Sequence, residues 1–396
     1  MAIIALAAGG FGIGTTEFAI MGLLSDAIEQ LEVSLAQGGH LISAYALGVV
    51  VGAPLLAVAG ARWPRKRMAV GLMMLFTVAN LSSYFAQDYG WLLVTRFVSG
   101  LPHGAYFGVA ALIAASLVAP TMRARAVAWV MLGLSIANVG GVPLATWIGQ
   151  QFGWRLMFVF VAMIGLVTIV MIARYVPFER AAAGSSMRRE LGALKRVQVW
   201  LALLIGIVGF GGFFAVYSYI SPTITQVTGL PESTLPLIVA LYGAGMIAGN
   251  ILGGRLADRS VLGSIYGCMA AVTVVLLIFS WAVQFVWPAI LLVFLVGAAG
   301  ATLVPALQTR LMDVAGDAQS LAASLNHAAL NVANALGAFL GGVVLSWGWG
   351  LTAPAQVGAA LAVLGLLIAF ASGRLERRRH AHPSVVASAE RMSGSR

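Results

Sequence analysis

Apolar runs separated by short polar segments extend along almost the whole chain. Each run holds roughly twenty or more residues, the length that an α-helix needs to cross about 30 Å of hydrocarbon. Strict alternation of apolar and polar positions, the pattern of membrane β-strands, is not found in the sequence. The runs predict twelve transmembrane helices, at residues 2–24, 39–61, 68–86, 91–118, 126–148, 154–175, 198–220, 235–257, 261–284, 287–310, 319–346 and 354–374.

The composition agrees with this pattern. Hydrophobic residues make up 60% of the 396 residues and charged residues 9%, whereas soluble domains carry about 25% charged residues. We therefore predict an all-α integral membrane protein. The first apolar run has no basic leader and no small-residue cleavage site, so we interpret it as a retained helix rather than a signal peptide. The single cysteine, Cys268, excludes an intramolecular disulfide.

The distribution of charge predicts the orientation. If the N-terminus is inside and the helices alternate, all but two of the 23 basic residues fall on the inner side. The exceptions are Arg96, within a span, and Arg155, at an outer end, while the first outer loop carries Asp26, Glu29 and Glu32 and no base. This positive-inside asymmetry predicts that both termini are cytoplasmic. It also explains the net charge of +10 without a nucleic-acid partner.

The two halves of the chain resemble each other. Matches at an offset of 197 or 196 residues join Tyr45 to Tyr242, Gly48 to Gly245, Gly52 to Gly249, Leu55 to Leu252, Arg62 to Arg259, Phe97 to Phe294, Gly100 to Gly297, Asn138 to Asn334 and Gly141 to Gly337. Parallel six-helix repeats predict a substrate site near the midplane between the halves, with alternating access by rocking. The predicted units are a six-helix bundle at 1–175, a cytoplasmic linker at 176–197, a second bundle at 198–374 and a basic tail at 375–396.

The linker has two open interpretations. The stretch SSMRRELGALKR places Met187, Leu191 and Leu194 on one helical face among basic residues. It is either an amphipathic helix on the inner leaflet or a flexible connection whose charges set the topology. The tail after Arg374 is basic and low in apolar residues, so we predict that it is disordered.

Glu17 is the acidic residue that lies within a predicted span and away from its ends. A charge near the bilayer centre is unfavourable by several kcal/mol, so such a residue is a functional candidate, here as a proton carrier. Arg96 lies at a similar depth from the outer side, about 8–10 Å, which permits direct or water-mediated coupling. The alternative is that Glu17 belongs to a structural ion pair.

Two further spans carry polar faces. Arg96, Ser99, His103 and Tyr106 share one face of the fourth span, where His103 is either a proton relay or a hydrogen-bonded packing residue. The eleventh span presents Asn326, His327, Asn331 and Asn334. These side chains either face a cavity or join helices by hydrogen bonds within the membrane.

The seventh and fifth spans carry less polar patterns. Phe213, Phe214 and Tyr217 belong to an aromatic stripe on the seventh span, which is either packing or the apolar wall of a pocket. Gly140, Gly141 and Pro143 on the fifth span allow a close helix contact and a bend. We predict that these three residues shape a gate.

Several segments resemble the major facilitator superfamily, specifically its twelve-helix drug:proton antiporters and the branch of arabinose-efflux and chloramphenicol-efflux permeases. The resemblance is carried by GAPLLAVAGARWPRKR (52–67), GGRLADRS (253–260), TRFVSGLPHGAYFG (95–108), GLSIANVGGVPLATWIG (133–149), TTEFAIMGLL (15–24) and residues 307–338. It implies two pseudo-symmetric six-helix bundles and gating roles for Arg62, Arg65, Asp258 and Arg259. Where the family has an aspartate in its first loop motif this chain has Ala61, which puts the usual gate contact of the first half in question.

The resemblance and the polar faces together predict a proton-coupled exporter of small drug-like or metabolite molecules. The predicted proton-coupling residues are Glu17, Arg96 and His103. The predicted substrate-binding residues are Met21, Tyr106, Phe107, Asn138, Phe213, Phe214, Tyr217, Asn326, His327, Asn331 and Asn334. A sugar or nucleoside exporter and a passive facilitator of the same fold are the alternatives.

The sequence also excludes other classes of function. It contains no P-loop for ATP, no Cys/His cluster with metal spacing and no nucleophile motif. We therefore predict neither an enzyme nor a cofactor or metal site. The resemblance implies a monomer in the cytoplasmic membrane of a bacterium. The predicted partners are the small-molecule substrate, protons and membrane lipids.

Overall fold

A computed structural model describes residues 1–33, 35–179, 187–316 and 318–381. It contains twelve long helices: α1 (Ala2–Gly22), α2 (Leu35–Ala59), α3 (Arg65–Tyr84), α4 (Tyr89–Ser116), α5 (Pro120–Phe152), α6 (Leu156–Tyr175), α7 (Val197–Ser218), α8 (Leu235–Arg259), α9 (Val261–Ala282), α10 (Val286–Val314), α11 (Gln319–Ser346) and α12 (Ala353–Ala381). Within the described ranges, eleven of them are long and apolar enough to cross a membrane. The other, α3, is 20 residues long but begins with Arg65, Lys66 and Arg67.

Successive helices run antiparallel, and all but α6 and α7, which the linker joins, are connected by short segments, so the connections fall on two faces. The basic face holds the start of α1 and the loops before α3, α5, α9 and α11, with Arg62, Arg123 and Asp258 among its residues. The acidic face holds the loop after α1, with Asp26 and Glu29. Helices α1–α6 and α7–α12 each enclose an apolar core, and the cavity described below lies between these two bundles.

The internal repeat is visible in the closest helix contacts. A Cβ atom placed on Gly48 in α2 would lie 2.1 Å from the carbonyl oxygen of Phe97 in α4. A Cβ atom on Gly245 in α8 would lie 2.1 Å from the carbonyl oxygen of Phe294 in α10, and both residues are displaced by 197 positions. The same two helix pairs therefore pack backbone to backbone in both bundles, an approach that only glycine permits.

A π-helical turn at Ala137–Gly141 interrupts α5. Such a turn accommodates one additional residue in a helix. The repeat offset is 197 residues for the matches in α2 and α4 and 196 residues for Asn138 and Gly141 of α5, which match Asn334 and Gly337 of α11. The first half therefore has one residue more than the second between Gly100 and Asn138. Pro143, which has no N–H group, lies two positions after the turn and removes one helical hydrogen bond.

Two features differ from the sequence prediction. A short helix, Leu24–Gln30, continues the chain beyond α1 on the acidic face. The C-terminal helix α12 extends to Ala381, so the prediction of disorder directly after Arg374 is wrong for residues 375–381. Residues 382–396 lie outside the described ranges.

The linker is helical in part, and an amphipathic role on the inner leaflet stays a prediction. It forms a short helix, Met187–Leu191, followed by a 3₁₀ turn, Gly192–Lys195. Met187 and Leu191 are exposed, whereas Ala193 is buried and Leu194 packs against residues of α2, α10 and α11. The described part of the linker is therefore bound to the protein.

Candidate functional site

A cavity of about 70 Å³ lies between the two bundles, near the middle of the helices. This volume is enough for several water molecules, since about 10–15 Å³ of it is enough for one. Eight of the predicted residues line it: Glu17, His103, Asn138, Phe213, Phe214, Tyr217, His327 and Asn331. The two halves therefore close around a small space whose walls are mostly aromatic.

Glu17 places its carboxylate against this cavity, about 22 Å along α1 from the basic face. It forms no hydrogen bond or ion pair with any residue that the structure describes, while the preceding Thr16 donates a hydrogen bond to Asn80 at 2.6 Å. An unpaired carboxylate in this environment is unfavourable when ionised. Its charge therefore depends on what enters the cavity.

Arg96 is fully buried and does not pair with Glu17. Its Nη1 donates to the carbonyl oxygen of Thr16 at 3.1 Å and its Nε to that of Leu41 at 3.4 Å. The guanidinium also lies 4.6 Å from the ring centroid of Tyr45, and Nη2 has no partner among the described residues. A direct Glu17–Arg96 contact, which the sequence permitted, is thus replaced by bonds that join α4 to α1 and α2.

His103 and His327 form a contact between the halves that the sequence did not predict. His103 Nε2 lies 3.3 Å from His327 Nδ1, and His103 Nδ1 lies 3.1 Å from the hydroxyl of Tyr45. Both rings are buried, and Phe107 stacks on His327 at 4.2 Å. A neutral pair satisfies this geometry when Tyr45 O–H donates to His103 and His103 Nε2–H donates to His327. His327 Nε2 then carries a proton with no partner among the described residues.

The histidine pair and an aromatic pair lie at different depths. His327 is about 12 Å from the basic-face end of α11, nearer that face than Glu17 is. Phe18 of α1 and Tyr217 of α7 meet edge to face at 6.3 Å, next to Glu17 and nearer the acidic face. Each bundle contributes one ring to each pair. Both pairs must separate if substrate is to pass from one face to the other.

Asn138 and Asn331 face each other's half across the cavity. Asn138 Nδ2 donates to the carbonyl oxygen of Leu134 at 3.1 Å, and Asn331 Nδ2 donates to that of His327 at 3.0 Å. Each bond is made within the residue's own helix, so the side-chain oxygens remain as acceptors. The cavity therefore combines acceptor oxygens and one acid with aromatic walls, which suits a compact molecule with few polar groups.

Other predicted residues do not reach the cavity. Tyr106 is buried and donates to the carbonyl oxygen of Leu6 at 2.8 Å, so it joins α4 to α1. Asn326 donates to Gln308 at 2.6 Å and joins α11 to α10. Phe107 lies behind His327, and Asn334 and Met21 are not among the lining residues, with Met21 being 40% exposed. These five residues do not line the cavity, and their contact with substrate stays a prediction.

The lining also includes residues that the predicted set omitted. They include Phe18, Met131, Phe210, Tyr242, Met246 and Asn250. Phe18 directly follows Glu17, and Tyr242 matches Tyr45 in the internal repeat. The sequence therefore contained a reason to include both residues in the predicted site. Asn250 donates to Ser135 at 2.8 Å across the halves, a contact between α8 and α5 that no spacing in the sequence indicates.

The basic face is closed by polar contacts between the halves. Asp258 at the end of α8 accepts from the backbone N–H of Ala124 at 2.9 Å and also pairs with the side chain of Arg125. Arg123 and Asp313 form a second ion pair at 3.4 Å. Since a carboxylate at a helix N-terminus is favourable, Asp258 holds α8 against the first turn of α5.

The remaining predicted gating residues have different surroundings. Arg62 and Arg259 are exposed, and Arg65 is partly buried at the start of α3. Gly141 lies against Thr15 and Phe11 of α1, whereas the space beside Gly140 is open. A gating role for these residues therefore stays a prediction.

Comparisons with known proteins agree with this architecture. The family model of the Major Facilitator Superfamily matches residues 6–318 and 222–391. The inner membrane transport protein YdhP of Escherichia coli K12 is 41% identical over 372 residues, covering 94% of this chain and 96% of that protein.

A chloramphenicol resistance protein of Streptomyces lividans is 33% identical over 366 residues, covering 90% and 92% of the two chains. A crystal structure of the human organic anion transporter MFSD10 matches with a TM-score of 0.76 at 14% identity, covering 93% of this chain and 99% of that one, and shows the same fold. The chain therefore belongs to the Major Facilitator Superfamily and is a membrane transporter.

Proposed function

We propose that this transporter is a proton-coupled antiporter that exports small, mostly apolar molecules by alternating access. The observation that carries the proposal is the unpaired carboxylate of Glu17 on an aromatic cavity between two bundles. The relative from Streptomyces lividans, whose name refers to chloramphenicol resistance, supports drug-like cargo. The name of YdhP supports an inner membrane location, with the basic face towards the cytoplasm.

In the proposed cycle, Glu17 binds and releases one proton for each substrate molecule exported. Glu17 takes a proton from the outer side, which removes its charge and lets the cavity close and reopen inwards. Substrate entering from the inner side displaces the proton, and the loaded cavity then turns outwards. Moving one elementary charge through the field is worth about 2.3 kcal/mol per 100 mV. One proton per cycle thus supports roughly a 50-fold gradient of a neutral substrate at 100 mV.

The histidine pair is the alternative proton site. It joins the halves directly, and protonation of both rings would place two positive charges 3.3 Å apart. Repulsion between them would separate α4 from α11. This alternative becomes the leading one if Glu17 proves dispensable for coupling.

The test measures proton movement in proteoliposomes when compounds from a panel of antibiotics, sugars and nucleosides are added. We expect wild-type protein to release protons on adding at least one compound. The variant Glu17→Gln should bind that compound but release no protons. The exposed Glu29→Gln on the acidic face is the matched control and should couple normally.

Two results contradict parts of the proposal. Normal coupling in Glu17→Gln removes Glu17 as the carrier and directs the search to His103 and His327. Substrate movement that no proton gradient or protonophore affects, in the wild type as well, identifies a passive facilitator.

A further inference from the structure

Glu190 of the linker helix binds the first turn of α11. Its side chain is buried, and Oε2 accepts from the backbone N–H of Leu321 at 2.9 Å. The residue that precedes α11, Ala318, provides no side-chain cap. The first turn of a helix has unpaired N–H groups and a partial positive charge, so an acceptor there stabilises it. Glu190 supplies from the linker the cap that α11 lacks in its own sequence.

The repeat gives this contact a meaning beyond local capping. In the other seam between the halves, Asp258 at the end of α8 accepts from the backbone N–H of Ala124 in α5. Leu321 lies 197 positions after Ala124 and 196 positions after Arg125. The backbone N–H groups of both residues donate to Asp258, so Leu321 is the counterpart of one of them at either repeat offset. At the offset of 197 residues the counterpart of Asp258 is Ala61, whose methyl group accepts no hydrogen bond. The α2–α11 seam therefore lacks the carboxylate of the α5–α8 seam, and Glu190 stands on the equivalent amide.

We propose that Glu190 is the gate carboxylate of the α2–α11 seam and replaces the acid missing at residue 61. By this inference the linker is a working part of the gate rather than a connection. When α11 moves away from the first bundle, Glu190 must release Leu321, and that bond stabilises the state in which the basic face is closed.

The packing around the linker supports this role. Ala193 and Leu194 share one apolar cluster with Ala57 of α2 and Leu321 of α11. The linker therefore contacts both sides of the seam. Burial raises the pKa of Glu190, while its hydrogen bonds to Leu321 and Ser320 and the charge of Arg65 oppose that shift. Arg65 at the start of α3 thus interacts with Glu190 from the first bundle.

The experiment measures opening of the seam with a buried reporter cysteine. Ser324 of α11 is fully buried against Gly108 of α4, so Ser324→Cys reports separation of α11 from the first bundle. The native thiol is removed by Cys268→Ser, and the rate of labelling by a small maleimide is measured on full-length protein in detergent. No substrate or proton gradient is used. The inference rests on the proposed alternating access, but this labelling succeeds or fails independently of proton coupling.

We expect Glu190→Ala to raise the labelling rate roughly five-fold, the effect of losing one helix cap. Glu190→Gln keeps an acceptor oxygen without the charge and should raise it roughly two-fold. Glu179→Ala removes the same charge from an exposed position in the same linker and should leave the rate unchanged.

The rescue variant is the sharpest test. Adding Ala61→Asp to Glu190→Ala places a carboxylate at the counterpart of Asp258. The labelling rate should then fall towards that of the parent, which is the protein with Ser324→Cys and Cys268→Ser alone. Should Glu190→Ala aggregate, Glu190→Gln alone must still exceed the parent. Labelling in the Glu190 variants that equals the parent rate, or a rise equally large in Glu179→Ala, overturns the inference.

Discussion

Two asparagines on α11 illustrate how one residue type serves two purposes. Asn326 is 1% exposed, and its side-chain amide donates to Gln308. Gln308 in turn donates to the carbonyl oxygen of Ala323. Asn331, five positions later, binds only the carbonyl oxygen of its own helix and faces the cavity. The difference arises from the side of α11 on which each residue lies. Asn326 belongs to the frame of the second bundle and Asn331 to the wall of the cavity.

The two asparagines are therefore expected to respond differently to Ala substitution. Asn326→Ala should lower the free energy of unfolding by about 1 kcal/mol, the usual worth of a polar contact between membrane helices, and leave substrate affinity unchanged. Asn331→Ala should weaken substrate binding roughly five-fold with little loss of stability. Thermal unfolding in detergent and equilibrium binding measure the two effects. The assignment is wrong if the two variants exchange these effects.

Sequence reasoning identified Glu17, which lines the cavity, but not the contact between His103 and His327. Glu17 stood out because a carboxylate within an apolar run is rare and unfavourable. The contact between His103 and His327 joins residues 224 positions apart in different bundles, and neither is the repeat counterpart of the other. Spacing along one helix predicts which residues share a face but not which helix lies opposite. For the same reason Tyr106 was assigned to the cavity, although it binds Leu6.

At the scale of the element, the distance to the neighbouring helix decides whether a position in a helix requires glycine. Gly48 allows α2 to touch the backbone of α4, whereas Gly140 lies in the π-helical turn of α5 with open space beside it. Both are glycines in apolar runs, and the sequence alone does not distinguish them. Glycine is required at residue 48 because α4 lies directly against it, whereas no helix lies against residue 140.

Alanine at these two glycines is expected to have opposite effects. Gly48→Ala forces its Cβ against the carbonyl oxygen of Phe97 and should lower the free energy of unfolding by about 2 kcal/mol or prevent folding. Gly140→Ala meets no atom and should be neutral or stabilise α5 by up to about 1 kcal/mol. Chemical or thermal unfolding of the purified variants measures the difference. Equal loss of stability in both would show that the open space at Gly140 is filled.

The helices themselves were largely predictable, whereas their irregular parts were not. Run lengths predicted twelve spans, and most ends agree with the structure within a few residues. The π-helical turn of α5 was not predicted because one additional residue leaves the hydrophobic pattern unchanged. A linker helix was one of the two interpretations of its composition, but its contacts with α2 and α11 could not be predicted from that composition.

At the scale of the whole molecule, the described polar contacts between the bundles extend from the histidine pair to the basic face. Asp258, Arg123 and Glu190 each contribute a bond there. On the side of the cavity towards the acidic face, the bundles meet through the edge-to-face contact of Phe18 and Tyr217. Breaking the basic-face contacts should therefore favour the state that opens on this side.

Removing Asp258 should open the basic face more than removing its charged partner. Asp258 binds the backbone N–H of Ala124 as well as Arg125, and the Arg125 side chain is 40% exposed, so that ion pair is worth at most about 1 kcal/mol. Asp258→Ala also removes a helix cap worth about 1 kcal/mol.

Distances between spin labels at Thr121 and Gly263 measure the effect in a Cys268→Ser background. The fraction of long distances should rise in the order wild type, Arg125→Ala, Asp258→Ala. An equal rise in both variants would mean that the cap contributes nothing to the seam.

The repeated frame has a consequence for how the two seams separate. The two-fold axis of parallel repeats runs along the membrane normal, so it leaves each facing state unchanged and exchanges the α5–α8 seam with the α2–α11 seam. With identical halves, the two seams would open at equal cost in free energy. The packing glycines keep that symmetry, but the polar residues break it, since Asp258 of one seam has Ala61 as its counterpart in the other. Duplication thus supplied two equivalent hinges, and each polar substitution in one half alone made them unequal.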